Sequence, residues 1–152
     1  MSDTYYFLDN NVISHLSKVQ LASAFFKAHC RVPSEVFHEA GANADLRVAL
    51  YPTTAVVLLA LCEVMASIRP DDTSLVDLYA NKGNADPLLV ACALVEIRLS
   101  ESFLVKPTWC VVTNDAAVRA KANDFSIETL SREEFFAAID SAWGIQSWSS
   151  KG

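Results

Sequence analysis

The strongest constraint on this chain is a pair of short, wholly apolar runs, each ending in an acid. Tyr5-Tyr6-Phe7-Leu8 stops at Asp9, and Trp109-Cys110-Val111-Val112 stops at Thr113-Asn114-Asp115. A run that is apolar at every position, rather than at alternate ones, predicts a strand buried on both faces, as in a parallel sheet covered by helices. Helical patterns stand between and after these runs, over Asn11 to Lys18, Leu21 to His29, Ser34 to Ala40 (stopped near Gly41), Thr53 to Ile68 and Thr73 to Tyr79. Further helices are predicted from Asp86 to Glu101, with Pro87 in the first turn, and from Ala116 to Asn123. Arg31-Val32, Val48 to Tyr51 and Phe125 to Thr129 read as short extended pieces, and Asn81 to Asn84 as a turn. Ser131, followed three residues later by Glu134, is a capping box whose helix runs to about Trp143. Strands alternating with helices predict an α/β three-layer fold, a small, mostly parallel sheet of four or five strands flanked by helices.

Of the 152 residues, 52% are hydrophobic and 20% charged, which excludes a disordered chain. One domain over residues 1–145 is expected, with a polar tail at 146–152 that frays. Lys and Arg total 12 against 18 Asp and Glu, a formal charge of −6. Binding nucleic acid through bulk basic charge is excluded, so any such role needs a local basic patch or bound cations. The cysteines, Cys30, Cys62, Cys92 and Cys110, form no C-x-x-C pair and sit among apolar neighbours, so they read as buried free thiols. The start, MSDTYYFLDNN, lacks the basic region of a signal peptide. The apolar stretch from Thr53 to Ile68 is interrupted by Glu63 and is short for a membrane span. These features fit a protein of the reducing cytoplasm with no membrane association.

If the two acid-ended strands are neighbours, Asp9 and Asp115 converge outside their carboxyl ends, where open α/β sheets bind ligands. Asp86, after a glycine turn, and Glu39, late in the helix after Pro33, are two more candidates. Carboxylates gathered in a solvated cleft are compensated by a cation, and hard divalent ions prefer oxygen ligands. Several acids without a His or Cys ligand point to Mg²⁺ or Mn²⁺ chemistry on phosphate esters. Each acid also has a plainer reading. Asp9, Asp86, and Asn114 or Asp115 can cap helices, and Glu39 can be a solvated helix residue. Two acids that end two buried strands are what capping alone explains poorly.

Taken together, these segments resemble PIN domains, the metal-dependent nuclease fold of VapC-like toxins and of other RNA-processing proteins. YYFLDNNVISHL is similar to the family's opening pattern of an apolar strand followed by D-x-N, which falls on Asp9 and Asn11. VPSEVFHEA is similar to its second element and puts Glu39 at the acidic position. GNADPLLVACAL puts Asp86 at the third, and the strand ending T-N-D puts Asp115 at the fourth. The resemblance spans Tyr5 to about Trp143 and implies a PIN-like three-layer fold and hydrolysis of RNA by metal-activated water. It implies that Asp9, Asp86 and Asp115 hold Mg²⁺ or Mn²⁺, and that Glu39 completes the site and orients or deprotonates the water. Asn11 would hold Asp9, while Thr113 and Asn114 would donate hydrogen bonds to a carboxylate or phosphate. Two departures stand out: Asn10 replaces the usual small hydroxyl residue, and Ala117 stands where many members carry a further acid. Residues 42–81 match the pattern least.

Lys82, Arg119 and Lys121 are the candidates for gripping an RNA backbone. His15, His29 and His38 are unclustered and read as non-ligands, and Trp109 reads as core. A non-catalytic PIN-like module binding RNA or a protein partner is the alternative. A phosphoryl-transfer domain of the receiver or haloacid-dehalogenase type ranks below both. Asp9-Asn10-Asn11 lacks the D-x-D acid, and Lys106 precedes its strand. The mean hydropathy of +0.24 allows an exposed apolar surface for a homodimer or an antitoxin-like partner.

Overall fold

In the computed structural model, which describes residues 3–68 and 85–140, β1 (Thr4–Leu8) lies at the centre of a five-stranded sheet. Its neighbours are β2 (Cys30–Pro33) and β4 (Thr108–Val112), with β3 (Leu50–Tyr51) and β5 (Glu128–Leu130) at the edges. The order is β3-β2-β1-β4-β5, and every pairing is parallel. The chain builds one half of the sheet outward from β1, then returns to β1's other edge to build the second half. The switch point therefore falls between β1 and β4, whose register pairs Leu8 with Val112.

The reason β1 is apolar throughout is visible on its two faces. Tyr5 and Phe7 stack on Trp109, with ring centroids 4.7 and 5.2 Å apart. On the other face Tyr6 tilts against Phe135 at 5.2 Å. Helices cover both sides, so the expected α/β three-layer architecture is the one present. The long α6 (Ala85–Leu99) packs on β4, β1 and β2, and α5 (Ala55–Ala66) packs on α6. Tyr51 ties the edge strand to α6 by donating its hydroxyl to Glu96 Oε1 at 2.6 Å. This bond and burial push the Tyr51 phenol well above its usual range, burial being the larger cause.

Several boundaries differ from expectation, each for a local reason. The predicted helix from Asn11 to Lys18 is two helices, α1 (Asn10–Ile13) and α2 (Lys18–Leu21). Ser17 starts the second with a capping box to Gln20, and that motif breaks the pattern. The predicted Leu21–His29 helix starts late, as α3 (Ala24–His29), because the Ser23 hydroxyl caps it at Phe26 N–H. α4 (Ser34–Glu39) ends as predicted near Gly41, whose φ of +80° closes a Schellman turn. There Ala42 N–H donates to Phe37 O and Gly41 N–H to His38 O. The strand expected over Val48–Tyr51 shrinks to β3, since Ala44–Ala49 forms a 3-10 helix. β5 starts three residues later than expected because Ser126 turns at φ +59°. α6 starts at Ala85, so Asp86 lies inside its first turn rather than capping it. Cys62 is exposed on α5, whereas Cys30, Cys92 and Cys110 are buried thiols as expected, and all four are free. Burial pushes the thiols of Cys30 and Cys110 up to about 12. The predicted helix at Thr73–Tyr79, the turn at Asn81–Asn84, the end of the last helix at Trp143 and the polar tail lie outside the described residues.

After α7 (Ala116–Asp124) and β5, the last helix, α8, covers residues 132–140 of the described chain. Its capping box is complete: Ser131 N–H donates to Glu134 Oε1 at 2.9 Å, and Glu134 N–H donates to Ser131 Oγ at 3.1 Å. Ser131→Ala should therefore lower stability by about 1 kcal/mol, measured by denaturant unfolding. These bonds hold the Glu134 carboxyl below its usual range, the backbone N–H of Ser131 being the largest cause. A depressed carboxylate stabilises the fold above its unfolded pKa. That contribution disappears as pH falls through the folded value, and so should the difference between wild type and Glu134→Gln.

Candidate functional site

Asp9 and Asp115 leave adjacent parallel strands at the same end, on either side of the switch point. Asp9 N–H continues the ladder to Val112 O at 3.2 Å. Asp9 stands at the N-cap position of α1, yet its carboxylate makes no capping hydrogen bond. It is engaged by Thr113, whose hydroxyl donates to Asp9 Oδ2 at 2.9 Å. The same Thr113 oxygen accepts from Asp115 N–H at 3.1 Å. Thr113 has no exposed surface and its N–H donates to Leu130 O on β5. One buried hydroxyl thus links both acids and is itself pinned by the next strand.

Asp115 uses one carboxylate oxygen to cap α7, accepting from Ala117 N–H at 2.9 Å and Val118 N–H at 3.2 Å. Its Oδ2 and Asp9 Oδ1 accept no hydrogen bond among the described residues. Each acid therefore keeps one oxygen for another occupant. A hard oxygen donor set of one or two carboxylates completed by water suits Mg²⁺, so these two residues fit such an ion. Among the described residues, no group of three or more His, Cys, Asp or Glu side chains is gathered tightly enough to hold a metal. Asp86 lies in the first turn of α6, and its side chain is outside the described residues. Glu39, the last residue of α4, is exposed and lines a cavity of about 360 Å³ together with Asn10, the residue after Asp9.

The polar rim is built from the start of α1, the turn after β4 and the start of α8. Asn114 Oδ1 accepts from Arg132 N–H at 2.7 Å, and Asn114 Nδ2 donates to Glu133 Oε1 at 3.4 Å. Arg132 Nη1 donates to Asn11 Oδ1 at 2.8 Å and lies 3.4 Å from His15 Nε2. Asn11 is thus bonded to Arg132, while the hydroxyl on Asp9 is Thr113's. Hydrogen bonds from its own backbone, from Asn114 and from Arg132 hold the Glu133 carboxyl below its usual range, the backbone being the largest cause. Arg132 went unnoticed in the sequence although it directly follows the capping serine of α8, at the carboxyl end of β5. That position is the signal that identifies it.

The basic candidates separate. Lys121 is corrected as an RNA contact. It is only 5% exposed, and its Nζ donates to Ser67 O at 3.2 Å and pairs with Asp124 at 3.2 Å. It is buried because α7 packs this face inward, with Val118 and Ala122 on the same stripe. Arg119 is partly exposed but turns toward β5 and α8, with Nε 3.4 Å from Thr129 Oγ1 and Nη2 3.7 Å from Glu134 Oε1. Lys82 lies outside the described residues.

No family model and no curated protein matches the sequence. Among solved structures, the chain is similar to the PIN domain of T. brucei RRP44, with a TM-score of 0.54 and 14% sequence identity. The match covers 99% of this chain and 89% of that one, and it shows a shared PIN-like fold. Among the described residues, no helix is long and apolar enough to cross a membrane.

Proposed function

We propose that this chain is a divalent-metal-dependent endoribonuclease of the cytoplasm, with Asp9, Asp86 and Asp115 holding Mg²⁺ or Mn²⁺ and Glu39 serving the attacking water. The observation that carries this reading is the pair Asp9 and Asp115 at the switch point, joined by Thr113 and each keeping one carboxylate oxygen uncommitted. When bound, the ion would lower the pKa of a water and stabilise charge developing on the phosphoryl group. The chain's own residues do the rest. Asp9 and Asp115 supply their uncommitted carboxylate oxygens from the carboxyl ends of two neighbouring strands in the middle of the sheet. Thr113 holds the Asp9 carboxylate and the Asp115 backbone at one spacing. Glu39 accepts a proton from the attacking water. Arg132 and Asn114, on the rim, donate hydrogen bonds to the RNA backbone and take the place assigned to Lys121. Hydrolysis leaves a 5′-phosphate and a 3′-hydroxyl. The free thiols support a reducing compartment. A toxin role with an antitoxin-like partner is the finer part of the proposal and rests on the motif resemblance alone.

The test is cleavage of a panel of single-stranded and structured RNAs in Mn²⁺, Mg²⁺ or EDTA. Metal-dependent cutting with 5′-phosphate ends is expected. A second reading, a non-catalytic PIN-like module, is favoured by Ala117, whose methyl side chain supplies no carboxylate two residues after Asp115. Folded, partner-free protein that binds RNA without cutting it in any metal would establish that reading instead.

Thr113→Val should reduce cleavage by roughly 10–100-fold, the usual cost of removing a hydrogen bond that orients a metal ligand. Thr113→Ser keeps the hydroxyl and should retain most activity. Activity kept in Thr113→Val but lost in Thr113→Ser would mean that the methyl group's packing, not the hydroxyl, is what matters.

A further inference from the structure

A cavity of about 330 Å³ lies between the sheet and the carboxyl end of α6. Tyr5 and Trp109, each the second residue of its strand, line it. It is therefore at the opposite end of β1 and β4 from Asp9 and Asp115. Tyr5 precedes Asp9 by four residues, roughly 13 Å along an extended strand. Its volume is that of a small-molecule site.

The walls are aromatic, and the two charges in them are unpaired. Tyr5, Tyr51 and Trp109 come from three strands, and Phe103 from the chain after α6. Phe103 is 54% exposed and meets no other ring among the described residues. Arg31 lies over Tyr5, its guanidinium carbon 5.6 Å from the ring centroid. Its Nη1 donates to Cys30 O at 2.8 Å, which fixes the group. Its Nε and Nη2 donate to nothing among the described residues. Glu96 accepts the Tyr51 hydroxyl on Oε1 at 2.6 Å, and its Oε2 accepts nothing among the described residues. Neither Arg31 nor Glu96 forms an ion pair with any described residue.

Each feature selects part of one ligand. Opposite charges that line one space without closing on each other suit a molecule bearing both an anion and N–H donors. An arginine fork with open N–H groups takes a phosphate. A carboxylate beside aromatic walls takes the N–H groups of a planar ring. Guanine presents N1–H and N2–H side by side to such a carboxylate, whereas adenine places a ring acceptor at that edge. Phe103 offers a face on which a base stacks. A free amino acid also carries both charges, but it leaves much of the cavity unfilled.

We propose that this cavity binds a guanosine 5′-monophosphate unit, with the base stacked on Phe103 and donating to Glu96, and the phosphate held by Arg31. The site is independent of the chemistry at Asp9 and Asp115.

Isothermal titration of the full chain with GMP in EDTA tests it, chelation removing any metal that could hold phosphate at the two acids. GMP should bind saturably with a Kd below about 1 mM. AMP and guanosine should each bind at least about 10-fold more weakly. Glutamine at position 96 still accepts the Tyr51 hydroxyl, and Phe103 is exposed. Glu96→Gln and Phe103→Ala should therefore melt as the wild type does, yet each should weaken GMP binding about 10-fold or more. Arg31→Met should erase the difference between GMP and guanosine, and Asp9→Asn should bind GMP as the wild type does. A short RNA with a 5′-phosphoguanosine end separates two sources of the unit. Displacement of GMP by this RNA makes an RNA end the source, and no displacement makes it the free nucleotide; both agree with the proposal. No GMP binding, equal binding of GMP and AMP, or binding that is lost in Asp9→Asn and kept in Glu96→Gln overturns it.

Discussion

Asp9→Asn and Asp115→Asn should each reduce RNA cleavage on the order of 1,000-fold or more. Removing a hydrogen bond that merely orients a metal ligand costs roughly 10–100-fold, and losing a ligand's charge costs more. The substitutions isolate charge from structure. An asparagine at position 9 still accepts from the Thr113 hydroxyl, the bond Asp9 makes at 2.9 Å. An asparagine at position 115 still accepts from the N–H groups of Ala117 and Val118, and caps a helix about as well as aspartate. Both variants should therefore melt near the wild type while cutting little. Full cleavage by either variant would remove that residue from the chemistry.

Phe7→Ala should be the most damaging single change to the fold, at about 3–5 kcal/mol. Phe7 has no exposed surface, stacks on Trp109 at 5.2 Å and meets Tyr51 edge-on at 4.9 Å. It lies on the central strand, where neighbouring strands hold the backbone and limit collapse into the cavity. A loss of this size corresponds to a fall in melting temperature on the order of 10 °C for a chain of this length. Phe7→Leu should cost much less, and equal losses in the two would point to the aromatic contacts rather than to volume.

The parts of the fold legible in the sequence were those set by strong local chemistry. β1 and β4 are apolar at every position because helices cover both their faces, and their boundaries were readable to within a residue. The Ser131–Glu134 box was readable for the same reason. The segment from Asn10 to His29 was misread where Ser17 and Ser23 start new helices inside a continuous apolar pattern. The exposure of Cys62 could not be seen, since α5 carries a single charged residue, Glu63, and one polar position sets no periodicity to mark an outer face. At the candidate site, Asp9 and Asp115 could be placed by the strand ends alone. Thr113 was noted only as a donor. Its role as the buried link between both acids depends on β1 and β4 being adjacent, which is a tertiary fact. That Lys121 is buried while Arg132 reaches the rim depends on how α7 and α8 pack, which the sequence does not display.

The central claim is that Asp9 and Asp115 together hold a divalent ion, and Mn²⁺ binding tests it without reference to activity. Titration followed by the paramagnetic signal of free Mn²⁺ should show saturable binding to the wild type. Asp9→Asn and Asp115→Asn should each weaken it at least about 10-fold. Wild-type protein that binds no Mn²⁺, or variants that bind it as the wild type does, would contradict the account.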